Sequence, residues 1–267
     1  MTALFGGDTP YPPIGKGTLM VLLAVHALTK DFRGFRAVDS VDLDVEEGTV
    51  HALVGPNGAG KTTLFNMLTG FVKPTAGQIL FSGEDVTNLP PEQIARRKMA
   101  RSFQITSLFE QLTAIEHVTL ALQSATRLGY HFWQSEKVLG RFREQAMRVL
   151  EQVGLAEMAA RLVSSLPYGQ KRALEMALVL ALEPRLLLLD EPTAGMSLDD
   201  VSRMIALIKQ VRAGRTVVLV EHNMGVVSEL ADRVTVLQRG SVLAEGTYAD
   251  VRDNPKVIDA YLGQTNA

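Results

Sequence analysis

Val50-His51-Ala52-Leu53-Val54-Gly55-Pro56-Asn57-Gly58-Ala59-Gly60-Lys61-Thr62-Thr63 is the stretch that decides the fold. An apolar run of strand character leads into a glycine-rich turn, and a helix-forming segment follows. Residues 55–62 fit G-x-x-x-x-G-K-[ST] in the strand–turn–helix setting which that pattern requires. Gly55, Gly58 and Gly60 let the backbone turn tightly and aim its N–H groups at phosphate oxygens. The helix that follows adds its positive end, worth about half a charge. In such a cradle Lys61 reaches the outer phosphates and the Thr62 hydroxyl ligates Mg²⁺. The alternative is a turn with a chance Lys-Thr, which a random chain of this length shows roughly once in a hundred times. The strand–turn–helix setting lowers that further. Residues 55–63 are therefore candidate nucleotide contacts.

Outward from the cradle, residues 21–53 carry short apolar, β-branched runs separated by polar turns, which read as strands. Helix is expected over 61–68 and strand over 78–81, and Pro90-Pro91 opens a helix that continues through 92–98. Between residues 105 and 163 the pattern is helical. Ile115, Val118, Thr119 and Leu122 share one face, and Phe142, Met147, Val149, Leu150 and Val153 share another less tidily. Strand-like runs return at 186–189, 217–220 and 234–237, alternating with helical segments, so a mainly parallel sheet with crossover helices is expected. Arg239-Gly240 lies between two strand runs as a hairpin turn. Residues 250–262 read as short helices broken at Asn254-Pro255.

Residues 1–19 are rich in Gly, Pro and Thr without periodicity and read as a disordered leader, with Met20 a candidate start. The 267 residues carry 27 Lys and Arg against 29 Asp and Glu, a net charge of −2. That lacks the basic excess of a protein that grips many nucleic-acid phosphates. The chain has no cysteine, which excludes disulfides and thiolate metal sites. No apolar stretch approaches the roughly 18 residues of a membrane-spanning helix. Arg96-Arg97-Lys98 reads as a solvated helix face.

The run at 186–189 ends in Asp190-Glu191. Acids at the C-terminal end of a buried strand stand beside the phosphates in open α/β sheets. Asp190 would hold Mg²⁺ through water, and Glu191 could orient and deprotonate the attacking water. Three more pieces follow in order: Gln104 ends Met99-Ala-Arg-Ser-Phe-Gln, Leu166-Pro167-Tyr168-Gly169-Gln170 precedes a helical segment, and His222 follows the strand run 217–220. Taken singly, a Gln is most often a solvated surface residue, a His at a strand end is often structural, and Phe32 is equally at home in a core.

Together these pieces resemble the ATP-binding subunits of ABC transporters, over essentially all of residues 21–263. The resemblance implies a P-loop α/β core with a mainly parallel sheet, an N-terminal antiparallel β-subdomain and a helical insertion. The expected layout is a leader over 1–19, an ATPase domain over 20–263 with its helical subdomain at about 105–165, and a tail over 264–267. It makes residues 55–62 the Walker A loop and Phe32 the ring stacked on adenine, with Val38 also at the nucleotide. Gln104 becomes a catalytic and metal-side residue, and Tyr168, Gly169 and Gln170 belong to the signature. Asp190 and Thr62 complete the metal set, and Glu191 and His222 are catalytic. It also implies MgATP hydrolysis in a head-to-tail dimer with an identical or paralogous ATPase subunit. Two transmembrane permease subunits and, indirectly, a periplasmic solute-binding protein would be partners, with this chain peripheral on the cytoplasmic face of the bacterial inner membrane.

Two departures from the family pattern stand out. The usual signature is L-S-G-G-Q, and Pro167 and Tyr168 replace Ser and the first Gly. The γ-phosphate must then rely on N–H groups near Gly169 and on the helix dipole. After Glu191-Pro192-Thr193 the family reads S-A-L-D, where this chain has Ala194-Gly195-Met196-Ser197. These departures and the tail around Asn254-Pro255 look like the ATPases of bacterial importers for branched-chain amino acids and their urea and amide relatives. Lipopolysaccharide-exporter ATPases are the alternative. Chromosome-associated relatives need a long coiled coil that this chain lacks, and translation-associated relatives carry two cassettes where this chain has one.

Overall fold

The computed structural model describes residues 20–102, 108–125 and 136–262. The expected leader over 1–19, Gln104, residue 263 at the end of the expected ATPase domain and the expected tail over 264–267 lie outside them.

Two sheets form the body. The first is antiparallel, in the order β2 (Phe35–Glu46), β1 (Val21–Phe32), β4 (Ala76–Phe81), β5 (Glu84–Asp85). The second runs β10 (Ser241–Gly246), β9 (Arg233–Gln238), β3 (Val50–Val54), β8 (Thr216–Val220), β7 (Leu186–Asp190), β6 (Met99–Arg101). It is parallel from β9 to β6, and β10 pairs antiparallel to β9 at the edge. The turn between β9 and β10 has φ of 49° at Arg239 and 84° at Gly240. Two successive positive φ values match the right-handed twist of the flanking strands.

Every residue of β3, β7 and β8 is buried, as expected of parallel strands covered on both faces. Their side chains alternate between two cores. Ala52, Val54, Leu187, Leu189, Val217 and Leu219 face a core shared with most of the helices. Leu53, Leu186, Leu188, Val218 and Val220 face one shared with α1 (Lys61–Leu68) and the antiparallel sheet. Helices α2 (Pro91–Arg96), α3 (Ala114–Ala125), α4 (Glu136–Gln152), α5 (Tyr168–Leu180), α6 (Leu198–Val211), α7 (Met224–Leu230), α8 (Tyr248–Arg252) and α9 (Pro255–Leu262), with two short 3-10 turns at Ala156–Met158 and Val163–Ser165, complete the described elements.

The expected periodicity is met on α3, where Ile115, Val118 and Leu122 are buried and Thr119 half-buried. On α4 the seam is formed by Phe142, Ala146 and Leu150 and is continued by Val153 just past the helix, while Met147 and Val149 stand at its margin. Sequence periodicity had passed over two strands. β5 is only a two-residue edge, and β6 is three residues ending in an arginine. Neither is long enough to show an alternation; β6 exists because it pairs with β7 from Met99↔Leu186 to Arg101↔Leu188.

Register across the central strands positions the site. Leu53, Val220 and Asp190 lie level on β3, β8 and β7. The residues just beyond the strand ends, Gly55, Glu191, Glu221 and His222, therefore emerge at one edge of the sheet.

Candidate functional site: the sheet edge around the glycine loop

The glycine loop leaves β3 and enters α1 through Gly60, whose φ is 100°. A Cβ at Gly60 would stand 2.5 Å from the Ala37 carbonyl oxygen, and one at Gly55 would collide with the Leu237 carbonyl oxygen. These two positions take glycine because other backbone already occupies the space. Gly58 has nothing near it and opens outward. The first turn of α1 has no acidic residue, so its N–H groups and positive end remain available to an anion. Thr62 is exposed and Thr63 half-buried at this end.

Lys61 is buried, and its Nζ donates to the Gly55 and Pro56 carbonyls at 2.7 and 3.0 Å. Burial lowers its pKa, against the opposing pull of Glu191 and Asp190. Those two carboxylates are thus the charges that Lys61 feels most, although they lie far along the chain. From the C-terminal end, burial raises the pKa of the Tyr261 hydroxyl, which also hydrogen-bonds the Gly55 backbone.

Asp190 is buried at the end of β7. Its Oδ2 accepts from Arg101 at 2.6 Å, while its Oδ1 has no hydrogen-bond partner among the described residues. Arg101 is also held by Asn66 Oδ1 and lies over the Phe65 ring, which fastens β6 to α1. Glu191 has φ of 48°, a costly conformation for a residue with a Cβ. Its N–H is bonded to the Val220 carbonyl at 2.9 Å, and its Oε1 lies 2.8 Å from His222 Nε2. The structure thus brings together the cradle, Asp190, Glu191 and His222.

Glu221 was not singled out from the sequence. It is buried, and all its bonds go to the two loops that carry Glu191 and His222. Oε1 accepts from Thr193 N and Oγ1 at 3.1 and 2.6 Å, and Oε2 from His222 N and Asn223 N at 3.1 and 3.4 Å. The available signal was an acid directly after the apolar run 217–220, the same cue that drew attention to Asp190.

The remaining expected residues are placed less uniformly. Phe32 is half exposed, with Lys30 Nζ 5.0 Å from its ring centre, so a free aromatic face is available. Val38 is fully buried and packs behind Gly60 of the glycine loop. Tyr168, Gly169 and Gln170 form the first turn of α5, with Pro167 at its N-cap. They are not part of the cluster around Glu191 and His222, and the Tyr168 hydroxyl is bonded to Ala194 O.

The ABC transporter family model matches residues 38–194, and a model described as branched-chain amino acid ATP-binding cassette transporter matches residues 241–265. The high-affinity branched-chain amino acid transport ATP-binding protein BraF of Pseudomonas aeruginosa is 42% identical over 253 residues, covering 91% of this chain and 98% of BraF. The ADP conformation of MJ1267, an ATP-binding cassette of an ABC transporter, superposes with a TM-score of 0.81 at 29% identity, over 91% of this chain and 99% of that one. A dimeric post-hydrolysis state of the cassette MJ0796 bound to ADP and Pi gives 0.72 at 27% identity, over 85% and 98%. With the glycine loop, the strand-end acids and the two-sheet body all in place, this chain belongs to the ABC transporter family, as one of its ATP-hydrolysing cassettes.

Proposed function

We propose that this cassette hydrolyses MgATP in a head-to-tail pair, with Glu191 as the general base, and that the work drives uptake of branched-chain amino acids or a related amide such as urea. The observation that carries the chemical half is the Glu191–His222 contact of 2.8 Å beside Asp190, level with the end of β3. The loop N–H groups and the end of α1 bind the phosphates, and Lys61 swings from its carbonyls to the outer ones. Glu191 takes a proton from the water whose oxygen attacks the γ-phosphorus, and the bond to the ADP oxygen breaks. His222 orients Glu191 and the transferred group. Gly169 and Gln170 at the start of α5 present N–H groups to the nucleotide of the other subunit.

The residues fit Mg²⁺. Asp190 Oδ1 is a buried acceptor without a partner among the described residues, and leaving one so costs about 1–3 kcal/mol unless a cation or its water takes it up. Thr62, Asp190 through water, and Gln104 would hold the ion. When bound, Mg²⁺ offsets charge on the β- and γ-phosphate oxygens.

The transported class rests on the relationship to BraF and on the C-terminal match over residues 241–265. Two permease subunits would receive the work at the cytoplasmic face of the inner membrane, and a periplasmic binding protein would deliver the solute. Among the described residues no helix is long and apolar enough to cross a membrane, so this chain would attach through those partners. Uptake of labelled leucine, isoleucine, valine and urea by cells with and without the intact chain tests this. Loss of one of these uptakes, restored by wild type and not by Lys61→Ala, is expected. Unchanged uptake of all four would overturn the assignment of the solute.

A further inference from the structure

The two departures from the family pattern, at Tyr168 and at residues 194–197, touch each other. The Tyr168 hydroxyl donates to the Ala194 carbonyl at 3.0 Å. Its ring lies against Gly195, whose φ is 73° and where a Cβ would stand 3.5 Å from the hydroxyl. Behind the ring, Arg172 Nε donates to the Tyr168 oxygen at 3.0 Å, and the guanidinium covers the ring face at 5.5 Å. Arg172 is fixed in turn by Glu175 at 3.0 Å, in a pair whose side chains are only 12% and 11% exposed. Next to this contact, a Cβ at Gly169 would stand 2.5 Å from Asp200 Oδ1, so the first turn of α5 presses directly on the start of α6.

We infer that Tyr168 is a positioning residue that makes the two ATP sites of the pair fire together. The inference rests on the head-to-tail reading above, in which the start of α5 faces the partner's nucleotide while Glu191 acts on the subunit's own. The connection within one subunit is short. Tyr168 holds Ala194 O, and Ala194 N–H donates to Glu191 O at 3.1 Å, closing the turn that begins at Glu191. The aromatic ring is stiff, and Arg172 braces it, so it passes on displacement of α5 instead of absorbing it. When the start of α5 closes on one nucleotide, Ala194 must follow or the 3.0 Å bond must break. The backbone that sets the geometry of Glu191 at the other nucleotide therefore moves with it. A glycine at position 168, as in the usual signature, offers no such link.

The test titrates inactive Lys61→Ala subunits into full-length wild type and, separately, into Tyr168→Phe, with subunit exchange confirmed by cross-linking. Tyr168→Phe keeps the ring and removes only its hydroxyl. A mixed dimer keeps one complete site, so independent sites lose ATPase in proportion to the wild-type fraction, and coupled sites lose it with the square. At equal mixing about one quarter of the activity is expected to remain for wild type and about one half for Tyr168→Phe, each relative to its own undiluted rate. Arg172→Lys, which keeps the charge and loses the Nε contact, is expected to fall between them, and replaces Tyr168→Phe in the titration should that variant be inactive. The same dependence for wild type and both variants, whether linear or squared, overturns the role of Tyr168. Full ATPase from Lys61→Ala alone would instead refute the underlying reading of the cradle.

Discussion

Replacing Glu221 with Gln changes a single atom type in the most heavily bonded carboxylate of the site. Oε1 serves Thr193 N–H and hydroxyl, and Oε2 serves the His222 and Asn223 N–H groups. A Gln amide can satisfy only one of these pairs with its oxygen. Turned toward His222 and Asn223, its NH₂ would leave two donors unmet. Turned toward Thr193 it leaves one, because the hydroxyl can rotate and accept. The second orientation is cheaper, and it orphans the buried Thr193 N–H at about 1–3 kcal/mol while the surviving bonds lose charge assistance worth about 1 kcal/mol more. The total, about 2–4 kcal/mol, corresponds to a Tm lowered by roughly 5–10 °C for a chain of this size. The loosened contacts flank Glu191 and His222, so misplacement worth about 1.4 kcal/mol at the transition state would lower kcat about tenfold. The nucleotide cradle contains none of these atoms, so ATP affinity should stay within about twofold, a difference below about 0.5 kcal/mol. Thermal melts, nucleotide titration and steady-state ATPase well below the melting point measure all three. A Tm within about 1 °C and a kcat within about twofold of wild type, both small on these scales, would refute the clamp.

Two further outcomes follow from buried groups near the site. Burial pushes the His51 pKa down to about 4, with Glu245 opposing and Arg233 adding to the shift, against 6.5 for the free side chain. The fold holds His51 neutral with Nε2 at 2.7 Å from Thr235 Oγ1, so its contribution is complete above about pH 6.5 and is lost as pH falls toward about 4, by about 3 kcal/mol. Urea melts of wild type and His51→Gln should therefore differ in pH slope by close to one proton across that window, and equal slopes would exclude a neutral buried His51. Arg101→Met should cost about 3–5 kcal/mol, because it strands Asp190 without its 2.6 Å partner. Adding Asp190→Asn should restore much of the Tm without restoring ATPase; no thermal recovery would show that Arg101 acts through Asn66 and Phe65 instead.

What the sequence revealed and what it hid follow from how far apart the interacting residues lie. The cradle, the limits of α1 and the hairpin at Arg239-Gly240 were legible because each is specified by adjacent residues: glycines, a strand run, a helix-forming run. Asp190 and His222 were legible because a fully buried strand announces its own end. Glu221 stood in an equally visible place, yet its role depends on Thr193 and becomes apparent only when β7 and β8 lie side by side. Arg101 is similar: its partner Asp190 comes from a strand that β6 meets through tertiary pairing, and β6 itself is too short to carry a pattern. The resemblance put Val38 at the nucleotide, and only the fold shows that it lies on the inward face of β2, buried beside Gly60. Tyr168 and Ala194 were each noted as departures, and nothing short of the packing of α5 on the loop after Glu191 could join them.

The central claim is that Glu191 is the base for ATP hydrolysis at this sheet edge, and Glu191→Gln tests it most directly. The substitution keeps the size and the backbone position of the side chain and removes its ability to take a proton. Single-turnover and steady-state phosphate release are measured together with ATP binding. Binding should persist while turnover falls roughly 10²–10⁴-fold, the usual worth of a general base, with the ATP-bound pair accumulating. Turnover within about threefold of wild type, too small a loss for a general base, would contradict the assignment of Glu191 and with it the mechanism proposed for this cassette.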